Sequence, residues 1–208
     1  MSHDPNSPGG LPVPENEGAA SHLTGKVMPP IALNSTDGHP VRVDLVPEGA
    51  ERLVLYAYPR TGRPGEDPLT ADWDRIPGAR GCTPEACSFR DHAADLRHAG
   101  AAVAGVSTQD ADYQREAAER LRLPFPLLSD AGLVLTRALE LPTFEVAAHT
   151  LLKRLTLVVR DGAIEHVFYP GISARRARRC SARVVECPAD GGLTPRRVTE
   201  SRRSAREA

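Results

Sequence analysis

Between Val27 and about Gly171, short apolar runs alternate with Gly-, Pro- and Asx-rich breaks, and the period changes from segment to segment. IALNSTDGHPVRV (31–43) sets an Asp37-Gly38 turn between two short strand-like pieces, a hairpin signal. LVLYAY (53–58) is a continuous apolar and aromatic run, as a strand buried on both faces would have. Residues 60–81, RTGRPGEDPLTADWDRIPGARG, hold several Pro and Gly and no period, which predicts a long loop. Thr83 then suits a helix N-cap and Pro84 the first helical position. Ala86, Phe89, Ala93 and Leu96 follow at helical spacing. AAVAGVS (101–107) reads as a buried strand, and Asp110 to Leu121 as a second helix closed by Pro124. Leu127 to Ser129 is a short strand and Leu133 to Leu139 a short helix. RLTLVVRDGAIEHVFY (154–169) is two strands about an Asp161-Gly162 turn. Strands alternating with helices predict an α/β fold around a partly parallel sheet.

Composition separates this middle part from its flanks. Residues 1–26 are rich in Pro, Gly and small polar residues and read as a disordered N-terminal segment. From Ser173 the chain has ten arginines against four acidic residues, +6, leaving −7 for the rest of a chain whose net charge is −1. Few large apolar residues and no helical stripe occur there, so residues 172–208 read as an Arg-rich disordered tail. The expected organisation is thus one domain, 27–171, between two tails.

The near-neutral charge gives no field for nucleic acid. No apolar run approaches the roughly 18 residues of a membrane span, and the N-terminus lacks the basic-then-apolar pattern of a secretory signal. Four cysteines in 208 residues do not make a disulfide scaffold. The expected setting is cytoplasmic and reducing, where a cysteine pair is catalytic, redox-active or metal-binding before it is a staple.

That pair is Cys82 and Cys87, in GCTPEACSFRDH (81–92). Cysteine reacts as its thiolate, and a free thiol near pKa ~8.5 is mostly protonated at neutral pH. A helix start, with unpaired N–H groups and partial positive charge, favours the anion. Cys82 stands beside the expected cap, with Arg80 and Arg90 close in sequence, which makes it the better nucleophile. Five residues of α-helix turn ~500° and rise ~7.5 Å, whereas a disulfide needs Cα atoms within ~7 Å and converging Cβ atoms. The pair therefore cannot join while the helix stands. Joining them requires its first turns to unwind, which helix ends do at low cost. The spacing suits a cycle in which Cys82 is oxidised to a sulfenic acid and Cys87 condenses with it. Two other readings stay open: Cys87 as a small buried hydrophobe, and metal binding, although the x4 spacing is not that of a zinc knuckle and Cys180 and Cys187 lie in the tail. A C-x-x-C motif is absent.

YAYP (56–59), GCTPEACSFRDH (81–92), GVSTQD (105–110), LPFPLLSD (123–130) and RLTLVVRDGAIEHVFY (154–169), in that order, resemble the peroxiredoxins, in particular the bacterioferritin-comigratory branch. The resemblance covers roughly residues 25–170. It implies a thioredoxin-like fold, a central mixed β-sheet flanked by helices. It also implies reduction of hydrogen peroxide or an organic hydroperoxide, with thioredoxin or a similar dithiol as reductant and no cofactor or metal. By resemblance Cys82 is the peroxidatic cysteine, Cys87 the resolving cysteine, and Arg154 the active-site arginine. A guanidinium there would stabilise the thiolate and the charge developing on peroxide oxygen. Monomer or weak homodimer is the expected state, with no nucleic-acid or membrane partner.

The sequence departs from the family pattern in two places. Pro59 and Cys82 stand 23 positions apart where the pattern has about seven, so about 16 residues are inserted. The family's threonine three residues before the cysteine is replaced by Ala79. Pro59 is expected to shape the substrate site, and Thr61 to fold back and supply the missing hydroxyl. At the C-terminus, the family's amphipathic covering helix has no counterpart in ISARRARRCSARVVECPADGG (172–192). Trp73 is expected to anchor the inserted loop, and His92 to face solvent. Phe144 is expected in the core or at the mouth of the site, and Ser107 and Asp130 to cap following elements. The competing function is a redox-sensing or disulfide-exchange protein with little peroxidase activity.

Overall fold

The structure, a computed structural model, describes residues 17–171. The sequence readings for residues 1–16 and for the Arg-rich tail, with Cys180 and Cys187, lie outside the described residues.

A seven-stranded mixed sheet forms the centre, in the order β2-β1-β5-β4-β3-β8-β9. Its middle is parallel: β3 (Arg52–Ala57) pairs with β4 (Ala101–Ser107), and β4 with β5 (Leu127–Ser129). The flanks are antiparallel: β1 (Ala32–Ser35) lies between β5 and β2 (Val41–Arg42), while β8 (Leu155–Arg160) joins β3 to β9 (Ala163–Phe168). Every residue of β3 is buried, which is why its sequence shows a continuous apolar run instead of alternation. Leu53, Leu55 and Ala57 face a layer that includes Leu23, Met28, Leu135 and Leu139. Val54, Tyr56 and Tyr58 face Cys82, Phe89, Ala93 and Leu96. The helices are α1 (Cys82–Asp91), α2 (Ala93–His98), α3 (Ala111–Leu121) and α4 (Val134–Leu139).

One glycine lets α1 seat on the sheet. A Cβ on Gly105 would lie 2.7 Å from Leu127 Cδ2 and 2.8 Å from the Tyr56 ring. Without it the Tyr56 ring covers that strand and stacks on Phe89 of α1, centroids 4.5 Å apart.

The sequence-based elements are present, with four corrections. Residues 17–26, assigned to the disordered segment, carry a 3-10 turn (Ser21–Leu23), and Leu23 is fully buried. The turn is tied to β9 by backbone bonds from Gly25 N to Ile164 O (2.8 Å) and from Ile164 N to Lys26 O (2.9 Å). Low local hydrophobicity hid one residue's large burial. Helix α1 begins at Cys82, with Gly81 (φ 99°) as its N-cap. Thr83 is therefore inside the first turn and does not cap it. The helical run breaks at His92 into α1 and α2. A second, two-stranded sheet joins β6 (Thr143–Val146) to β7 (His149–Leu152). Its turn, Ala147-Ala148, has φ of 48° and 62°. Such turns ordinarily announce themselves with Asn-Gly or Asp-Gly, so this hairpin had no signal in the sequence.

The inserted segment is folded in place. Its 3-10 turn Trp73–Arg75 puts the buried Trp73 against Ala79 and Leu151, with Leu69, Ile76, Phe144 and Val146 around them. Trp73 is thus the loop anchor that was expected, and Phe144 packs in this satellite core beside it. Asp130, fully buried, accepts from Leu135 N (3.0 Å), Thr136 N (2.8 Å) and the Thr136 hydroxyl (2.5 Å), and so holds the start of α4 as expected. No helix among the described residues is long and apolar enough to cross a membrane.

Candidate active site

Cys82 is the first residue of α1, and its side chain is 4% exposed. Gly81 turns the chain into the helix through the left-handed region, where a side chain is strained. Arg154, just ahead of β8, reaches across to this turn. Its Nε donates to Gly78 O (2.8 Å), and its Nη2 donates to Arg80 O (2.7 Å) and lies 3.1 Å from Cys82 Sγ. Its Nη1 pairs with Glu85, one helical turn beyond the cysteine. One guanidinium therefore gathers the approach strand, the sulfur and the first turn of α1.

The electrostatics at the sulfur oppose one another. Burial pushes the Cys82 thiol up; Arg154 pulls it down, Glu85 pushes it up, and the Arg60 backbone N–H on the sulfur pulls it down. The balance lies above the ordinary value. Position at a helix start favoured a lowered value, and burial against the sheet reverses it. Burial likewise raises the Glu85 carboxyl, against the pull of Arg154.

Cys87 lies in the same helix, partly exposed, and both thiols are free. Both stand in helical register, so the turn of ~140° and rise of ~7.5 Å between them apply. The two arginines near Cys82 in sequence serve elsewhere. Arg80 pairs with Asp74, and Arg90 lies beside Cys87 and donates to Leu121 O (2.9 Å). His92 is half-buried, with Nδ1 2.9 Å from Ser88 O at the end of α1.

Thr61 and Pro59, the two expected substrate-site residues, both lie just beyond β3. Thr61 is 2% exposed, its hydroxyl 3.2 Å and its backbone N–H 2.8 Å from Gln109 Oε1, while Gln109 Nε2 donates back to Thr61 O (3.0 Å). The Thr61 hydroxyl thus has a partner in Gln109. Pro59 is buried, and its carbonyl accepts from the Ser107 hydroxyl (3.0 Å). Both residues are held just beyond β3 by partners at the end of β4 and immediately after it. A cavity of about 350 Å³ opens over Cys82 and is lined by Arg60, Leu69, Trp73, Ala79, Pro84 and Tyr113 among others. Ala79, at the position of the family's threonine, is 1% exposed and offers no side-chain donor. Glu85, which sequence reasoning passed over, is the residue most closely tied to Arg154. Its only signal was an acid three residues after the cysteine, in the first turn. Among the described residues no group of His, Cys, Asp or Glu is arranged to hold a metal ion.

A thioredoxin-like sheet that presents a buried cysteine at a helix start, a guanidinium on its sulfur and a second thiol in the same helix defines a thiol-redox protein. Residues 23–179 match the Redoxin family. The chain is 31% identical to a chloroplastic peroxiredoxin Q of Gentiana triflora over 169 residues, 78% of this chain and 69% of that one. It is 29% identical to peroxiredoxin Bcp of Escherichia coli over 148 residues, 69% of this chain and 83% of that one. The solved structure of peroxidoxin BcpB from Mycobacterium tuberculosis superposes with a TM-score of 0.62 at 25% identity, covering 79% of this chain and 99% of that one. The chain belongs to the redoxin family, with peroxiredoxins of the Q and Bcp type as its relatives.

Proposed function

We infer that the chain is a thiol-dependent peroxidase. The observation that carries this is Arg154 Nη2 at 3.1 Å from Cys82 Sγ, with Cys87 five residues on in the same helix. The Cys82 thiolate attacks one oxygen of the peroxide and displaces the other as hydroxide or alkoxide, which takes up a proton. The sulfenic acid left on Cys82 then condenses with the Cys87 thiol, forming a disulfide and releasing water. Thioredoxin or a similar dithiol reduces that disulfide. Arg154 stabilises the thiolate as it attacks.

Peroxiredoxin relatives support this reading over a disulfide-exchange or sensing protein with little peroxidase activity. A cytoplasmic setting rests on the cysteine usage of the sequence; relatives include chloroplastic proteins. A monomer or weak homodimer is the proposed state. Two variants test the reading, with peroxide consumption followed in the presence of a thioredoxin system. Cys82→Ser should abolish turnover. Cys87→Ser should form a sulfenic acid at Cys82, seen by mass spectrometry after dimedone trapping, yet turn over poorly. Peroxide consumption by Cys82→Ser at the wild-type rate overturns the proposal.

A further inference from the structure

Displacement at a peroxide oxygen needs two sites of stabilisation: one at the attacking sulfur, the other at the oxygen that leaves with the charge. Arg154 has five N–H donors. Four of its interactions are with Gly78 O, Arg80 O, Glu85 and the sulfur itself. It serves the sulfur side and has little capacity left for the far oxygen. Of the other polar side chains on the cavity, two are engaged, while Thr83 and Asp67 also line it. Arg80 pairs with Asp74, and the Tyr113 hydroxyl donates to Glu66 (2.7 Å). The Thr61 hydroxyl is turned to Gln109 and Ala79 has none.

Arg60 is different. Its backbone N–H is on the Cys82 sulfur, and its side chain lines the cavity that opens over that sulfur. The guanidinium lies over the Tyr113 ring, 4.5 Å from the centroid, and hydrogen-bonds the Tyr113 hydroxyl. Among the described residues no carboxylate lies within ion-pair distance of it. Arg63 covers the same ring at 4.0 Å and pairs with Glu66, so the ring that holds Arg60 is itself fixed.

We propose that the Arg60 guanidinium is the donor to the leaving oxygen of the peroxide, a second catalytic arginine supplied from the start of the inserted segment. The step rests on the peroxidase reading above and balances as it does there: Cys82–S⁻ and ROOH give Cys82–SOH and RO⁻, which is protonated to ROH. Arg60 donates hydrogen bonds to the departing RO⁻ and stays protonated.

Arg60→Met keeps the backbone N–H on the sulfur and the length of the side chain, and removes the donors. Two rates are measured on the reduced full chain: oxidation by hydrogen peroxide and by cumene hydroperoxide, in a single turnover read by Trp73 fluorescence and mass spectrometry; and alkylation of Cys82 by iodoacetamide, which needs the thiolate but no donor to an oxygen. The variant should lose about 10²-fold in the peroxide rate, as removal of one oxyanion donor does, with alkylation near the wild-type rate. An unchanged peroxide rate overturns the proposal. So does an equal fall in both rates, because Arg60 would then act through the thiol or the fold. If Arg60→Met does not fold, Arg60→Lys is measured in the same way. It should lose about tenfold in the peroxide rate relative to alkylation, and a wild-type ratio overturns the proposal. Failure of the peroxidase reading shows separately, as peroxide consumption that survives Cys82→Ser.

Discussion

Arg154 sets the chemistry of the Cys82 sulfur, and its removal has a predictable sign. Burial raises the thiol pKa and Arg154 lowers it. The thiolate fraction, and with it the rate of reaction with peroxide, should therefore climb as pH rises from neutral into the alkaline range. Arg154→Gln removes the cation, so the midpoint should move to still higher pH, and the neutral-pH rate should fall about 10²-fold. Ultraviolet absorbance of the thiolate against pH, alongside single-turnover oxidation, measures both. A midpoint unmoved by the substitution contradicts the assignment. The residue-level site was only partly legible. Cys82, Cys87 and Arg154 carry motif signals, and the structure brings Cys82 and Arg154 together. Thr61 offers a hydroxyl of the right chemistry near the right place in sequence. Its hydrogen bonds to Gln109, 48 residues away, were not visible there.

Helix α1 carries both thiols, so its stability governs the second half of the cycle. With the helix formed the sulfurs point apart around its axis. Oxidation to the Cys82–Cys87 disulfide should therefore cost α1 its first turns. Hydrogen exchange should show amides of residues 82–87 protected in the reduced protein and exchanging faster in the oxidised one; equal protection in both states contradicts the unwinding step. The entry to α1 depends on Gly81 at φ 99°. Gly81→Ala forces a side chain into that region at about 1–2 kcal/mol. The chain should relieve this by displacing Cys82 from Arg154, lowering stability in a urea titration by about that amount and slowing peroxide reaction. The same element shows why cap chemistry misplaced the helix start. Thr83 and Pro84 suit the first helical positions, but the approach of residues 78–81 to Arg154 and the positive φ of Gly81 begin the helix at Cys82.

Across the molecule, an ion pair ties the start of β3 to β9, with Glu51 and Arg160 also within ion-pair distance of it. Arg52, the first residue of β3, is 1% exposed, and its Nε lies 2.7 Å from Glu165 Oε2 on β9. Arg52 holds the Glu165 carboxyl below its ordinary value, with burial opposing. The folded state then binds the proton less readily than the unfolded chain does. Its contribution to stability is present above the unfolded carboxyl pKa, near ~4.3, and is lost as pH falls through the lower folded value. Glu165→Gln should cost about 2 kcal/mol at neutral pH, toward the low side for breaking a buried pair because Glu165 is partly exposed. It should also flatten the fall in stability on acidification. Urea unfolding at neutral and acid pH checks both; an unchanged acid dependence contradicts the pairing. A rule of apolar alternation predicts neither residue as a partner, since they lie 113 positions apart.

Local pattern determined most of the elements: continuous apolar runs for β3 and β4, Asx-Gly turns between β1 and β2 and between β8 and β9, and helical spacing for α1 and α3. Each is decided by interactions a few residues long, so the sequence by itself specified them, and the order of its motifs pointed to the family. Tertiary structure decided what depends on distant groups. It buried Leu23 on β9, made a hairpin from an Ala-Ala turn, tied Thr61 to Gln109, and set Glu85 and Arg60 around the sulfur. It also reversed the direction of the Cys82 pKa, because desolvation depends on what covers a group in three dimensions and not on its neighbours along the chain.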